Sequence, residues 1–256
     1  MSEAPDLPPY YRLVSLDSVD STNEEAKRLA RRGGDTGTDG TVVWARSQTA
    51  GRGRRGRTWA SPVGNLHCSV LLRPRCPALV AAQLSFAAAL AVAEAIAAVA
   101  GPGAAVCCKW PNDVLMENRK VAGILLESEA GAGESVHWVV IGVGVNVAHF
   151  PEATETPATS LWAEGCTWLS VQQILEAYCT ALLSWKERLL DEGFGPVRER
   201  WLGLAKGLGE PIEVRLDKEI LTGRFAGVDA DGALILEGTD GGRHLIGAGD
   251  VFFPAA

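Results

Sequence analysis

Along the chain the spacing of apolar positions changes several times, and each change marks an element. Residues 23–32 read as a helix, with Ser21 or Thr22 as N-cap, Glu25 three residues after Thr22 as in a capping box, and Gly33-Gly34 as the stop. Residues 41–47 and 66–73 are strand-like and flank a stretch rich in glycine and arginine. An alanine-rich apolar run follows at 79–100, and short β-rich runs at 105–110, 120–127 and 137–147. The last of these is an almost unbroken apolar series, as in a strand covered on both faces. Helical patterning returns at 171–192, with Gly193 as its stop, and at 196–204. Beyond Lys206-Gly207-Leu208-Gly209, four short strands are expected at 211–216, 221–228, 233–237 and 243–246, with turns at 229–232 and 239–242. This tail reads as a small β-barrel. There is no repeat and no low-complexity tract.

The 79–100 run is as long as a membrane span. Gln83, Ser85 and Glu94 interrupt it and Gly101-Pro102-Gly103 follows it, which predicts a buried core helix and no membrane association. Residues 1–9 are acidic and proline-rich, without the charged start and apolar stretch of a signal peptide. A length of 256 residues suggests one large domain and one small one, placed at 1–206 and 207–256. Hydrophobic content of 47% and charged content of 21% fit a globular protein with a proper core. A net charge of −7 argues against a general nucleic-acid binder and sets the arginines at 52–57 against the global balance. The cysteines (Cys68, Cys76, Cys107, Cys108, Cys166, Cys179) form no C-x-x-C pair, and His67, His137, His149 and His244 show no ligand spacing. Reduced thiols in a cytoplasmic protein, with no structural metal site, are therefore expected.

Five segments carry candidate chemistry. In Gly51-Arg52-Gly53-Arg54-Arg55-Gly56-Arg57, glycines allow backbone amides to approach a ligand, and arginines offer planar forks to phosphate or carboxylate. The Walker spacing is absent. Taken alone the loop fits an anionic ligand, a solvated basic turn, an RNA-contacting segment or a flexible linker. Lys109-Trp110-Pro111-Asn112-Asp113 places an amine, an amide and a carboxylate at a strand end, where Asn112-Asp113 could equally be a plain turn. Lys120 opens an apolar strand either as a snorkelling edge residue or as an ammonium for a carboxylate or phosphate. Gly123 within that strand suggests a close approach. In Ile141-Gly142-Val143-Gly144-Val145-Asn146-Val147, two glycines on one face leave a flat wall, and with no helix following directly a Rossmann reading fails. Asp20-Ser21-Thr22-Asn23 suits a helix cap, and also a polar ligand at a helix N-terminus.

In order and spacing these segments resemble the biotin–protein ligase series: Ser21-Thr22-Asn23, Gln48 to Trp59 through the Gly/Arg loop, Lys109 to Asp113, Lys120-x-Ala122-Gly123-Ile124-Leu125, and Gly142-x-Gly144-x-Asn146. The resemblance runs over about residues 12–253. It implies an α+β fold: a mixed β-sheet flanked by helices, related to the class II aminoacyl-tRNA synthetase and biotin–lipoate ligase core, with a small C-terminal SH3-like β-barrel. It implies an enzyme that uses ATP and Mg²⁺ to convert biotin to biotinyl-5′-AMP and passes the biotinyl group to a lysine of a biotin carboxyl carrier domain, as in acetyl-CoA carboxylase.

Carried over by position, Ser21, Thr22, Asn23 and Gln48 are expected to hold the biotin rings, with Gly51, Gly123, Gly142 and Gly144 lining the slot. Arg52, Arg54 and Arg55 are expected in a lid over biotin and phosphates that is mobile without ligand. Trp59 and Asn65 are expected beside adenine, Trp59 by stacking. Lys120 is expected at the carboxylate and α-phosphate as the central catalytic group with Arg52 and Arg54. Asn112 and Asp113 are expected near Mg²⁺ and phosphate, Asp113 as metal ligand, and Asn146 toward the nucleotide. Some family members carry an N-terminal DNA-binding domain; about 20 residues precede Ser21, so a ligase without repressor activity or nucleic-acid binding is expected. Some members pair through a sheet edge, which leaves a homodimer open. Lipoate or octanoate transferases share the fold, but their Arg-rich segment leading to a triple glycine and His-Asp is not found. An RNA-binding module would need a basic face with stacking aromatics, and beyond Trp59 and Trp110 there is little of it near the loop.

Overall fold

The computed structural model describes residues 4–253 apart from 102, 132, 134 and 240. Readings that fall on residues 1–3, on Pro102 and on Asp240 lie outside the described residues. The elements, in chain order, are β1 (Arg12–Val19), α1 (Thr22–Arg32), β2 (Thr41–Gln48), β3 (Leu66–Leu72), α2 (Ala78–Ala100), β4 (Val106–Lys109), β5 (Asp113–Met116), β6 (Arg119–Ala130), β7 (Val136–Val145), α3 (Val171–Glu192) and α4 (Phe194–Gly203). The small C-terminal part adds β8 (Pro211–Arg215), β9 (Ile220–Val228), β10 (Leu234–Gly238), β11 (Arg243–Ile246) and β12 (Asp250–Phe252).

The first seven strands form one mixed sheet in the order β1-β2-β3-β7-β6-β5-β4. Only the β1–β2 pair is parallel, and α1 is its crossover. Because side chains alternate along a strand, β3 serves two layers at once. Cys68, Val70 and Leu72 pack into the main core with α2 and α3, whereas Leu71 joins a second cluster beneath α1 with Val43, Trp138 and Val140. That is why β3 is buried at every position and reads as unbroken apolar sequence. The long apolar helix α2 lies against α3 and the sheet, with most of its residues buried inside the protein. Its many alanines let α3 approach closely.

The α1 face of the sheet is only half covered. Trp138, Val140 and Leu71 lie under the helix; farther along the same strands the row continues as Ser69, His67, Gly142 and Gly144. The second sheet is antiparallel in the order β11-β10-β9-β8-β12. It is tied to the first part by the Trp110 indole N–H donating to the Gly232 carbonyl at 3.3 Å and the Gln83 amide donating to Ala230 at 3.1 Å.

Three strands had no counterpart in the sequence pattern: β1, β5 and β12. The first is an edge strand of mixed polarity, and the other two have only four and three residues. The expected capping box on α1 is absent. Ser21 is the N-cap without a side-chain bond to the helix. The Thr22 hydroxyl turns to Gln48 and Glu25 bonds Arg28 instead. The polar residues at this helix start face a cavity. Ser170 and Gln173 do form a capping box on α3.

Leu90, in α2, is fully buried. Leu90→Ala is expected to lower stability by about 2–5 kcal/mol through lost transfer energy and a residual cavity, read as a lower urea midpoint with an unchanged slope.

Candidate active site

A single cross-strand row organises the open part of the sheet. His67 on β3 pairs with Gly144 on β7, Gly144 with Gly123 on β6, Gly123 with Asp113 on β5, and Asp113 with Lys109 on β4. Directly opposed residues share a face, so these side chains and gaps point into the same space. Next to it runs a second row, Ser69, Gly142 and Leu125. Gly144, Gly123, Asp113 and Lys109 of the first row, with Gly142 and Leu125 of the second, floor a cavity of about 270 Å³ that is also lined by Thr22, Gln48, Trp59 and Lys120.

One end of the cavity is a network of hydroxyls and amides. A Cβ on Gly142 would lie 2.0 Å from Asn23 Oδ1, so only glycine lets α1 come this close. Asn23 Nδ2 donates to the Leu125 carbonyl at 3.3 Å and to Glu127 Oε2 at 2.8 Å. Ser69 Oγ lies 2.6 Å from Asn23 Oδ1 and 2.7 Å from Thr22 Oγ1. The Thr22 amide and hydroxyl donate to Gln48 Oε1 at 2.8 and 3.1 Å, while Gln48 Nε2 donates to Ser61 Oγ at 2.8 Å. Ser21, Thr22 and Asn23 are nearly fully buried, and a buried set of this kind holds its orientation because every broken bond leaves an unsatisfied group. At the edge, hydrogen bonds from Arg28 pull the Asp20 carboxyl down to about 2.

The middle of the cavity is aromatic on glycine. The Trp59 indole lies where a Cβ of Gly144 would be, at 2.4 Å, and 3.2 Å from that of Gly123. Its Nε1 is buried without a partner among the described residues. Lys120 Nζ stands 5.6 Å from the ring centroid. Trp59 therefore covers the slot at the junction with the charged end, and the missing side chains at Gly123 and Gly144 admit its ring there.

The other end is charged. Lys120 Nζ is 2.6 Å from Asp113 Oδ1. Arg54 donates to Asn112 Oδ1 at 3.1 Å, and Asn112 Nδ2 donates to the Ile124 carbonyl at 2.7 Å. Burial pushes the Arg54 guanidinium below its ordinary range. Asn146 lines the cavity and donates to the Thr159 carbonyl at 3.0 Å.

The Gly/Arg loop is a closed hairpin here. Arg52 and Thr58 form an antiparallel bridge, and the Gly53 amide donates to the Arg57 carbonyl at 2.7 Å. Its arginines are held by carboxylates: Arg52 by Glu24 and Glu127, Arg55 by Asp217 and Asp250, and Arg57 by Asp250. In this arrangement the loop's arginines are met by the protein's own anions. Arg55 stands outside the cavity lining. Gly51 is packed against the Trp59 carbonyl and Ser61, so it shapes the hairpin base. Asn65 differs most from expectation. Its Oδ1 accepts from the amides of Val147, Ala148 and His149, each at 3.0 Å, and its Nδ2 donates to the His149 carbonyl at 2.8 Å. Asn65 thus clamps the segment after β7, and it is not part of the cavity lining.

Sequence reasoning missed Ser69, Glu127, Glu24 and the C-terminal pair Asp250 and Phe252. A signal existed for two of them: Ser69 is polar inside an apolar strand, and Glu127 continues the Gly123–Leu125 face. Burial raises the Glu127 carboxyl, but hydrogen bonds from Lys27 and Asn23 and the charges of Lys27 and Arg52 outweigh it, so its pKa lies below the ordinary value. A depressed folded-state pKa contributes stability that is complete above the unfolded value of about 4.3 and is lost as pH falls through the folded one. Glu127→Gln is therefore expected to lower stability by roughly 1–3 kcal/mol at pH 7. Urea unfolding of the two proteins at pH 7 and pH 3 should show the difference shrinking at the lower pH.

Known proteins with this geometry point one way. The sequence matches the biotin/lipoate A/B protein ligase family over residues 16–146 and the biotin protein ligase C-terminal domain over residues 207–253. It is 46% identical to a biotin–[acetyl-CoA-carboxylase] ligase of Paracoccus denitrificans, over 93% of this chain and 99% of that protein. It is 34% identical to the bifunctional ligase/repressor BirA of Escherichia coli, over 87% of this chain and 68% of that one. The biotin protein ligase of Aquifex aeolicus, solved in complex with biotin and ATP, superposes with a TM-score of 0.75 at 28% identity, covering 94% of this chain and 97% of that one. The match spans the sheet, the loop and the C-terminal strands alike, and the chain belongs to the biotin/lipoate A/B protein ligase family, with the C-terminal domain of the biotin protein ligases.

Proposed function

We propose that this chain is a biotin–protein ligase, which activates biotin with ATP and passes the biotinyl group to a lysine of a biotin carboxyl carrier domain in the cytoplasm. The observation that carries this reading is one glycine-floored slot with a hydroxyl and amide network at one end and a cationic end at the other. A bicyclic urea needs the first, a flat aromatic-covered channel suits an alkyl chain, and a carboxylate meeting a phosphate needs the second. The names of the relatives support it. The free state of all six cysteines fits a reducing compartment.

In the first step a carboxylate oxygen of biotin attacks the α-phosphorus of ATP. The bond from that phosphorus to the β-bridging oxygen breaks, and diphosphate leaves biotinyl-5′-AMP behind. In the second, the acceptor amine, having given up a proton, attacks the acyl carbon; the C–O bond to AMP breaks and an amide forms. The first step brings two anions together, a repulsion of about 4 kcal/mol at 4 Å with an effective dielectric near 20. Lys120, at the slot's charged end, neutralises both partners, and Arg54 with Arg52 adds charge from the loop. Ser21, Thr22, Asn23 and Gln48 orient the ring system, so the carboxylate arrives aligned.

Among the described residues no group of three or more His, Cys, Asp or Glu is placed to hold a metal ion. Mg²⁺ needs only one or two carboxylates when phosphate oxygens and water complete its shell. Asp113, aimed into the cavity at Lys120, meets that requirement, with Asn112 already committed to Arg54 and Ile124. Bound there, Mg²⁺ supplies charge neutralisation on the phosphates.

ATP–diphosphate exchange tests the reading. Exchange is expected with biotin and not with lipoate; equal exchange with lipoate, or none with biotin, overturns it. Lys120→Ala is expected to slow single-turnover adenylate formation by about 10²–10³-fold, the scale for removing one preorganised donor.

A further inference from the structure

Five buried side-chain polar atoms have no hydrogen-bond partner among the described residues. Two of them belong to one place in the sheet: Trp59 Nε1, which can only donate, and His67 Nδ1. His67 is 1% exposed and lies outside the cavity lining, so solvent does not serve it. A buried polar group without a partner is costly, and each one in a folded protein calls for a reason.

The cross-strand row brings the two together. Trp59 Cζ3 lies 3.2 Å from the Cβ position of Gly123, while its Cε2 and Nε1 lie 2.4 Å from that of Gly144. Cζ3 and Nε1 sit at opposite ends of an indole, so the ring is laid along the row with its N–H end toward β3. The next residue in that direction is His67, directly opposite Gly144. Cβ positions in such a pair are about 5 Å apart. The other imidazole nitrogen settles which atom is free. His67 Nε2 lies 3.1 Å from the Pro62 carbonyl, which only accepts, so Nε2 carries the proton and Nδ1 holds a lone pair. Burial pushes the imidazole below its ordinary range, with the Pro62 contact opposing it, and the neutral ring keeps that lone pair. Pro62 follows Trp59 by three residues, so His67 already grips the segment that carries the indole. A donor without an acceptor and an acceptor without a donor thus flank one glycine.

We propose that His67 is a positioning residue for Trp59, whose indole N–H it accepts at Nδ1 when biotin or biotinyl-AMP occupies the slot. The proposal rests on the biotin-activating reading above and adds to it the group that holds the aromatic cover. Neither atom has a partner in this structure, so making the bond breaks none. A shift of the ring along the row toward β3 forms it and uncovers Gly123, beside which Lys120 stands with its Cε 3.4 Å from the Cβ position. The alkyl chain of the substrate takes the floor the ring leaves, and the bonded ring closes the slot on the β3 side. His67 touches no reacting atom. It acts through Trp59, and its effect falls on how long the activated intermediate stays bound.

The test is a double-mutant cycle on the full chain, with His67→Leu made in the wild-type protein and in Trp59→Phe, which keeps a ring but has no N–H. The readout is the dissociation rate of biotinyl-AMP, taken after a thermal melt shows folded protein; His67→Phe replaces the leucine variant if that one does not fold. With Trp59 present, His67→Leu is expected to speed release about threefold to tenfold, the scale of one net hydrogen bond, and by less than about twofold in Trp59→Phe. His67→Asn, which keeps an acceptor near the Nδ1 position, is expected to recover most of the loss. A second signature is the Trp59 indole resonance in proton–nitrogen correlation spectra, identified by its loss in Trp59→Phe. On addition of biotinyl-AMP it is expected to move downfield and gain exchange protection in the wild-type protein and not in His67→Leu. A residue that merely supports the fold speeds release equally in both backgrounds. That result, or an indole resonance that responds alike in wild type and His67→Leu, overturns the assignment. A wild-type protein that forms no biotinyl-AMP from biotin and ATP defeats the reaction itself, which keeps the two failures apart.

Discussion

Helix α1 comes down onto β7 where Gly142 has no side chain, and the polar end of the site depends on that contact. Asn23 Oδ1 occupies the volume a Cβ would take. From there Asn23 reaches across to the Leu125 carbonyl and Glu127, and back to Ser69, which connects to Thr22 and so to Gln48. The β1–α1–β2 crossover sets the helix over the correct strands, and the Val43, Leu71 and Trp138 cluster anchors its far half. Neither fixes the last ångström at its N-terminus. That falls to a glycine and to a hydrogen-bond network with little slack, since buried polar groups tolerate few unsatisfied positions.

The loop shows a different use of charge. A chain of net charge −7 has carboxylates to spare around its basic segment, and Glu24, Glu127, Asp217 and Asp250 hold Arg52, Arg55 and Arg57 in place. An incoming polyanion therefore exchanges one set of partners for another on those arginines. Surface pairs of this type are each worth only about 0–1 kcal/mol, so such an exchange costs little. Arg54 stands apart, with an amide for a partner, facing inward.

Most of the fold was legible because its periods are strong. The β3 and β7 strands are buried on both faces, and α2 and α3 have length and stop signals; their limits fall within two residues of the reading. The edge strand β1 was not legible, because its faces differ little in exposure, nor were β5 and β12, which are too short to show a period. In the site, motif spacing brought out Thr22, Gln48, Trp59, Asp113 and Lys120, which the sheet gathers into one cavity. It did not reveal the backbone clamp that Asn65 makes, since a polar residue next to a site motif reads the same whether it meets ligand or backbone. Glu127 was legible only through strand alternation, and Asp250 not at all: nothing local links it to arginines some 193 residues earlier.

The second sheet is more than a cover, for a reason that lies in dielectric rather than contact area. Its last strand has three residues, and pairing with β8 directs two of them at the first part. Asp250 neutralises the loop arginines, and Phe252 closes over Lys109 while Arg215 stacks on the same ring at 3.9 Å. An apolar ring adds almost nothing to an ammonium's energy in water, but by excluding water it strengthens whatever anion the ammonium then meets. The same ring makes the unliganded lysine costly to keep charged. A protein that accepts that cost at a fixed backbone position, across one strand row from the glycine slot, has part of the electrostatic work done before the substrate arrives.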